Sequence, residues 1–232
     1  MIDQENKEDI QSVIDEYGIK ELVHFTSTSN LWGISKNGLS NLKNFDGYTR
    51  ANTKASDGKN KANEFISLSI SFPNYKMLHK KRKTEENSFY INDGKIKGWV
   101  ILSIDPKVLT ENECYFIGAN AGGLDKQDDV RNYSWAKHLQ AMFLEEVESK
   151  NSKRVVKRYR KLPKNYTTNP QAEVLVAGVI PNEYIKKIYF EKQSCLDEAK
   201  EFFKNKVDLL ERFEVRDELF MPRMDWKAWQ WN

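Results

Sequence analysis

Glu173 opens the apolar run Val174-Leu175-Val176-Ala177, a setting where a carboxylate is an odd choice. Ahead of it, the segment Lys150 to Lys164 carries Lys150, Lys153, Arg154, Lys157, Arg158, Arg160, Lys161 and Lys164 and no acidic residue. A single acid at a strand start, approached by cations, suits one carboxylate doing chemistry on a polyanion. Tyr159 and Tyr166 are interleaved with the charges. Aromatic faces beside Lys and Arg make a workable single-strand nucleic-acid surface, where stacking supplies ~1–3 kcal/mol per base. Arg154, Lys157, Arg158, Tyr159, Arg160 and Tyr166 are therefore the candidate nucleic-acid contacts. Plainer readings stand beside these. Glu173 could be a strand-edge carboxylate paired with a loop lysine, and a charge run is usually a solvated face.

His24 lies within an apolar strand, between Val23 and Phe25 and ahead of Thr26, Ser27 and Thr28. It is either a hydrogen-bonded core histidine or a donor that fixes a ligand hydroxyl. Only His79 and His138 accompany it, and none has metal-ligand spacing, so no metal site is expected. There is no Walker-type phosphate loop, no strand-linked Gly-x-Gly-x-x-Gly and no Gly-x-Ser-x-Gly elbow. Kinase, P-loop and serine-hydrolase chemistry are without support.

The elements that must position these groups follow from periodicity. Residues 5–17 form a short polar helix with Ile10, Val13 and Ile14 on one face. Glu21–Phe25 is a strand, and Thr28-Ser29-Asn30 caps a helix over Leu31–Lys36 that Gly38 ends in a left-handed conformation. Residues 41–63, with Tyr48 and Arg50, are polar and Gly- and Asn-rich, a long loop of the kind that is more often functional than idle. Glu64–Ile70 alternates as a half-buried strand does, and Phe72–Leu78 turns into a helix. Gly98–Ile104 is a strand halted by Asp105-Pro106, and 118–125 is a loop. Ser134 caps a helix with Trp135, Leu139, Met142 and Phe143 on one face. The basic loop leads to the strand at Glu173. Beyond it come a strand at Lys186–Phe190, a helix at Ser194–Lys206 and a strand at Leu210–Val215.

Strands scattered among fewer helices favour an α+β fold with a mixed or antiparallel sheet over a doubly wound one. No repeat or linker divides the 232 residues, so a single domain spanning 1–232 is expected, with residues 1–20 as an N-terminal helical segment and 218–232 as a Trp-rich tail. The net charge of +3 is too small to indicate partners by itself. Cys114 and Cys195 are too few for a disulfide framework, the N-terminus lacks signal-peptide character, and no run reaches the ~20 apolar residues of a membrane span. A cytoplasmic protein without a membrane partner is expected.

In order, Val23-His24-Phe25-Thr26, then Asn30-Leu31-x-x-Ile34-x-x-x-Gly38-Leu39, an arginine in the loop beyond, and Gln171-Ala172-Glu173-Val174-Leu175-Val176 resemble the DarT family, the DNA ADP-ribosyltransferase toxins of DarTG toxin–antitoxin systems. Ile66–Met77 also resembles the middle motif of the branch that modifies guanine rather than thymine. The likeness runs from about Leu22 to Phe190.

The resemblance implies an ADP-ribosyltransferase fold, a split mixed sheet with helices around it and NAD⁺ in the cleft. It implies transfer of ADP-ribose to a base of single-stranded DNA. Carried over, His24 holds NAD⁺ hydroxyls, Phe25 and Thr26 lie near the nicotinamide amide, and Asn30 belongs to the same motif. Arg50 engages phosphates or the reacting ribose, Tyr75 walls the nicotinamide, and Glu173 is catalytic. A carboxylate against that sugar opposes positive charge that develops in the transition state, or accepts the proton the base must lose. A macrodomain-type or related antitoxin that removes the modification is implied as partner. Two other readings remain: an ADP-ribosyltransferase acting on RNA or protein, and a non-catalytic nucleic-acid-binding module.

Overall fold

The computed structural model describes residues 3–41, 64–85, 98–121, 129–149 and 154–227. Its strands are β1 (Leu22–Ser27), β2 (Leu39–Ser40), β3 (Phe65–Ile70), β4 (Trp99–Ile104), β5 (Cys114–Ile117), β6 (Glu146–Ser149), β7 (Arg154–Lys157), β8 (Glu173–Ala177), β9 (Val179–Ile180), β10 (Ile185–Phe190) and β11 (Phe213–Val215). Its helices are α1 (Gln4–Tyr17), α2 (Leu31–Asn37), α3 (Tyr75–Glu85), α4 (Val108–Glu111), α5 (Ala136–Ala141), α6 (Gln193–Phe202) and α7 (Val207–Leu210). Seven strands make one sheet in the order β11-β10-β4-β1-β3-β8-β5. The β10–β11 pair is parallel and the other pairs are antiparallel. This is the mixed-sheet α+β architecture expected from the sequence.

Alternation along the strands sorts the core onto two faces. Leu22, Leu68, Leu102 and Val174 point to the side covered by Ile10, Val13 and Ile14 of α1 and by Leu139 of α5. Val23, Ile101 and Trp99 point the other way, onto Phe72, Leu78, Leu219 and Phe220. α1 ends where Gly18 turns left-handed and Ile19 N–H reaches back to the Ile14 carbonyl. Asn6 on its buried side donates to the Ser134 carbonyl and accepts from Ala136 N–H, so α1 also caps α5.

Gly38 has a positive φ of 74°, and a Cβ there would lie 2.4 Å from the Ile180 carbonyl oxygen, which is why β2 and β9 can meet only at a glycine. Its ψ of −175° is not that of the left-handed cap expected.

Four local expectations need correction. The basic segment is not one loop: Arg154–Lys157 form β7, paired antiparallel with β6. The β-branched Val155-Val156 supply the strand preference, and Lys157 sits opposite Glu146 with a 3.0 Å ion pair. The α5 cap is Trp135, whose side chain is exposed rather than on the buried face with Leu139, Met142 and Phe143. The long helix expected at 194–206 stops at Phe202, and the strand expected from Leu210 shrinks to Phe213–Val215 because α7 takes up Val207–Leu210. Lastly β5, a buried four-residue run, is a strand where none was expected. No helix among the described residues is long and apolar enough to cross a membrane.

Candidate active site

β1 and β3 are neighbours in the sheet, yet their ladder covers only Leu22↔Ile70 and Val23↔Ser69. Past Val23 the sheet divides, with β11-β10-β4-β1 on one side and β3-β8-β5 on the other. His24 is the first residue beyond the division. Its Nδ1 lies 2.8 Å from the Ser67 carbonyl oxygen, so the side chain bridges the gap that the backbone leaves. A carbonyl can only accept, which places the proton on Nδ1. Burial holds the imidazole below its usual range, with the Ser67 bond opposing that shift. The ring is neutral at physiological pH, and Nε2 is left with a lone pair. The donor expected from the sequence is thus, at its free nitrogen, an acceptor.

Glu173, the first residue of β8, pairs with Ile117 at the end of β5. Ala121 N–H, on the turn after β5, donates to its Oε2 at 2.8 Å. The Ser67 side chain, on the same side, also favours the ionised form. Ser67 faces Leu175, two positions along from Glu173, so serine and carboxylate are diagonal neighbours on one face of β3–β8. Burial raises the carboxyl to about 6, against the pull of these two groups. The lysine partner of the plainer reading is replaced by a backbone amide and a serine side chain. Such a carboxyl ionises at neutral pH and still has a basicity suited to proton transfer.

The approach to Glu173 is built by main-chain bonds. Arg158 Nη1 donates to the Tyr166 carbonyl at 2.8 Å and the Thr168 hydroxyl at 3.1 Å, and Nη2 donates to the carbonyls of Pro163 and Lys164. Thr168 in turn donates from its hydroxyl to the Leu144 carbonyl. Asn165 reaches the Ser71 hydroxyl at 3.1 Å. Ser71 has φ 59°, the one positive value for a non-glycine among the described residues, and Phe72 N–H closes a three-residue turn onto the Ile70 carbonyl. A strained turn after β3 thus touches the loop that leads to Glu173.

A family model described as DarT, ssDNA thymidine ADP-ribosyltransferase, matches residues 23–221. The chain belongs to the DarT family. Two solved structures similar to it are those of the Thermus sp. 2.9 DarT, in complex with NAD⁺ (TM-score 0.52) and in complex with ADP-ribosylated ssDNA (TM-score 0.55). Each is 13% identical and covers 88% of this chain, and 98% and 97% of the Thermus chain respectively are covered. At that identity the likeness speaks for the fold. Among curated proteins no match is found.

Within this DarT-family chain, the residues expected at the site are placed as follows. His24 and Glu173 are drawn together through Ser67. Phe25 packs at 5.8 Å against Trp99 and, like Tyr75 and Tyr166, lies at the edge of the second core cluster. Thr26 and Asn30 are buried and bond to each other at 3.0 Å, tying β1 to the turn before α2. Tyr75 starts α3 and stacks on His79. Tyr48 and Arg50 lie outside the described residues, as do Lys150, Lys153 and the tail beyond 227.

Of the nucleic-acid candidates, Tyr159 and Arg160 are exposed, and so is Lys157 despite its ion pair. Tyr166 is half-buried against Phe72 at 5.5 Å. Arg158 is half-buried, and its terminal nitrogens bond the loop's own carbonyls and the Thr168 hydroxyl.

Sequence reasoning missed Ser67, Ala121, Arg223 and Asp225. For Ser67 a signal existed. With Ser69 it forms the polar half of the alternation in Phe65–Ile70, on the face that Glu173 shares once β3 and β8 are paired. For the other three no local pattern gives notice.

Proposed function

We propose that this chain transfers ADP-ribose from NAD⁺ to a nucleobase of single-stranded DNA, with Glu173 as the catalytic carboxylate. The observation that carries the reading is the setting of Glu173: a carboxylate beside the division of the sheet, held by Ala121 N–H, favoured in its ionised form by the Ser67 side chain, and poised at about 6. Membership of the DarT family supports it.

The residues fit NAD⁺. A neutral His24 offers Nε2 to a ribose hydroxyl, and the β1 backbone beyond Val23 has no ladder partner on the β3 side among the described residues. NAD⁺ would supply the ADP-ribosyl group, with nicotinamide as leaving group. Glu173 would oppose positive charge on the ribose and take the proton that the accepting base loses. Arg50 would meet the phosphates or ribose, and Phe25, Thr26, Asn30 and Tyr75 would complete that side. Tyr159, Arg160 and Lys157 would receive the DNA strand, because a base reaches such a cleft at least cost from a single strand.

Guanine is the base favoured by the resemblance of Ile66–Met77, and thymine by the description of the family. The whole chain, 1–232, is read as one ADP-ribosyltransferase domain acting in the cytoplasm, countered by an antitoxin that removes the modification. Mass spectrometry of short single-stranded oligonucleotides of varied sequence, after incubation with protein and NAD⁺, tests activity, substrate and base together. Adducts on RNA or protein alone would move the substrate. Salt-sensitive DNA binding without nicotinamide release would leave only a binding module.

A further inference from the structure

Arg223 is 2% exposed and Asp225 4%. The two form a bidentate pair, Nε to Oδ1 at 2.7 Å and Nη2 to Oδ2 at 2.6 Å. The guanidinium has a second engagement on its outer side. Nη1 donates to the Thr167 carbonyl at 2.8 Å and Nη2 to the Thr168 carbonyl at 3.2 Å. Burying a guanidinium is costly unless its donors are satisfied, and here Asp225 and two loop carbonyls satisfy them.

We propose that Arg223, held by Asp225, is a positioning residue for acceptor DNA: it fixes the main chain at Thr167–Thr168 and so sets the shape of the approach to Glu173. The inference rests on the reading of that approach as the DNA side of the site.

Thr168 is gripped from two directions. Its carbonyl is held by Arg223, and its hydroxyl is bonded by Arg158 and donates to Leu144. The tail that carries Arg223 is itself docked, with Leu219 and Phe220 buried in the second core cluster and Arg82 donating to the Phe220 carbonyl. The segment between these grips carries Tyr159, Arg160, Lys161 and Lys164, all exposed. Glu173, His24 and Ser67 are held by the sheet and by Ala121, and Arg223 bonds none of them. Loss of the lock therefore loosens the DNA side while the NAD⁺ side keeps its supports. The family model ends at residue 221, so the lock lies beyond the matched region.

The test uses the full chain with Arg223→Met and, separately, Asp225→Asn. Initial rates of adduct formation on a single-stranded oligonucleotide give the KM for DNA and for NAD⁺. Limited trypsin digestion reports cleavage between residues 157 and 164. The expected result is a KM for DNA raised at least tenfold, a KM for NAD⁺ held within twofold, and cleavage at least tenfold faster. Unchanged KM for DNA and an unchanged digest in both variants overturn the proposal. So does an equal rise in both KM values, or unfolding of both variants by circular dichroism, since the pair would then serve the whole fold. The digest needs no turnover. Absence of any transfer by the unaltered protein would therefore sink the transferase reading and leave the lock to be judged by trypsin.

Discussion

Ser67 turns its side chain towards Glu173, whose ionisation it favours, while its carbonyl accepts a hydrogen bond from His24. One serine on β3 thereby couples a group on β8 to a group on β1, across the line where the sheet divides. Ser67→Ala removes one of the two groups that hold the Glu173 carboxyl down. Its ionisation should move further upward, and the acid limb of the pH–rate profile should follow by some tenths of a unit to about one unit. Transfer is expected to fall several-fold at pH 6 and little at pH 8. Identical profiles for the two proteins would show that the hydroxyl does not reach the carboxylate in solution.

Glu173→Ala should lower transfer by at least about 100-fold while leaving the fold intact, on the scale of losing a group that acts mainly in the transition state. Full activity in that variant, measured as nicotinamide release and oligonucleotide adducts, would remove the central claim.

The same carboxyl has a stability signature. Its folded value, about 6, lies above the ordinary carboxylate value. An acid raised in the folded state binds its proton more tightly there. Its stabilising contribution is complete below the unfolded value and is lost as pH rises through about 6. Glu173→Gln abolishes the ionisation and should stabilise the protein at pH 8 by on the order of 1–2 kcal/mol, with little change at pH 4. Urea unfolding at the two pH values measures the difference. A variant less stable at pH 8 would show that the polar neighbours of the carboxylate outweigh the burial.

His24→Ala takes away both the bridge to Ser67 and the Nε2 acceptor. The KM for NAD⁺ is expected to rise about tenfold, the worth of roughly one good hydrogen bond. Titration with NAD⁺ at saturating oligonucleotide reads this, and a KM within twofold of the unaltered protein would return His24 to a core role.

Gly38→Ala would place a methyl against the Ile180 carbonyl oxygen at 2.4 Å, on a backbone with positive φ. A loss of about 2 kcal/mol or more is expected from the combined clash and strain. Thermal unfolding checks it. Wild-type stability would mean that β2 and β9 part without cost.

The main strands of the sheet were legible because alternation survives in Glu64–Ile70, because Gly98–Ile104 is a short apolar run halted by Asp105-Pro106, and because Glu173 opens an otherwise apolar run. β5 was not, since Cys114–Ile117 is buried on both faces and short, a pattern without period. The basic run conceals β7 because its charges mask the Val155-Val156 strand signal, and the pairing with β6 joins Glu146 to Lys157 and Ser149 to Arg154 across a turn the charges do not announce. Glu173 and His24 stood out by type and place. Their common partner Ser67 did not, because the bond depends on strand order, and Arg223 depends on a tertiary contact 55 residues distant from Thr168.

The division of the sheet leaves peptide groups of β1 beyond Val23 without a ladder partner on the β3 side among the described residues. Peptide groups are the same whatever side chain they carry. A ligand gripped through them is recognised by topology, and substituting a side chain by alanine leaves that peptide contact in place. Such an edge tolerates drift, and the fold it belongs to is kept at 13% identity. An inhibitor built to pair with that edge would meet few single substitutions able to evade it, short of a proline.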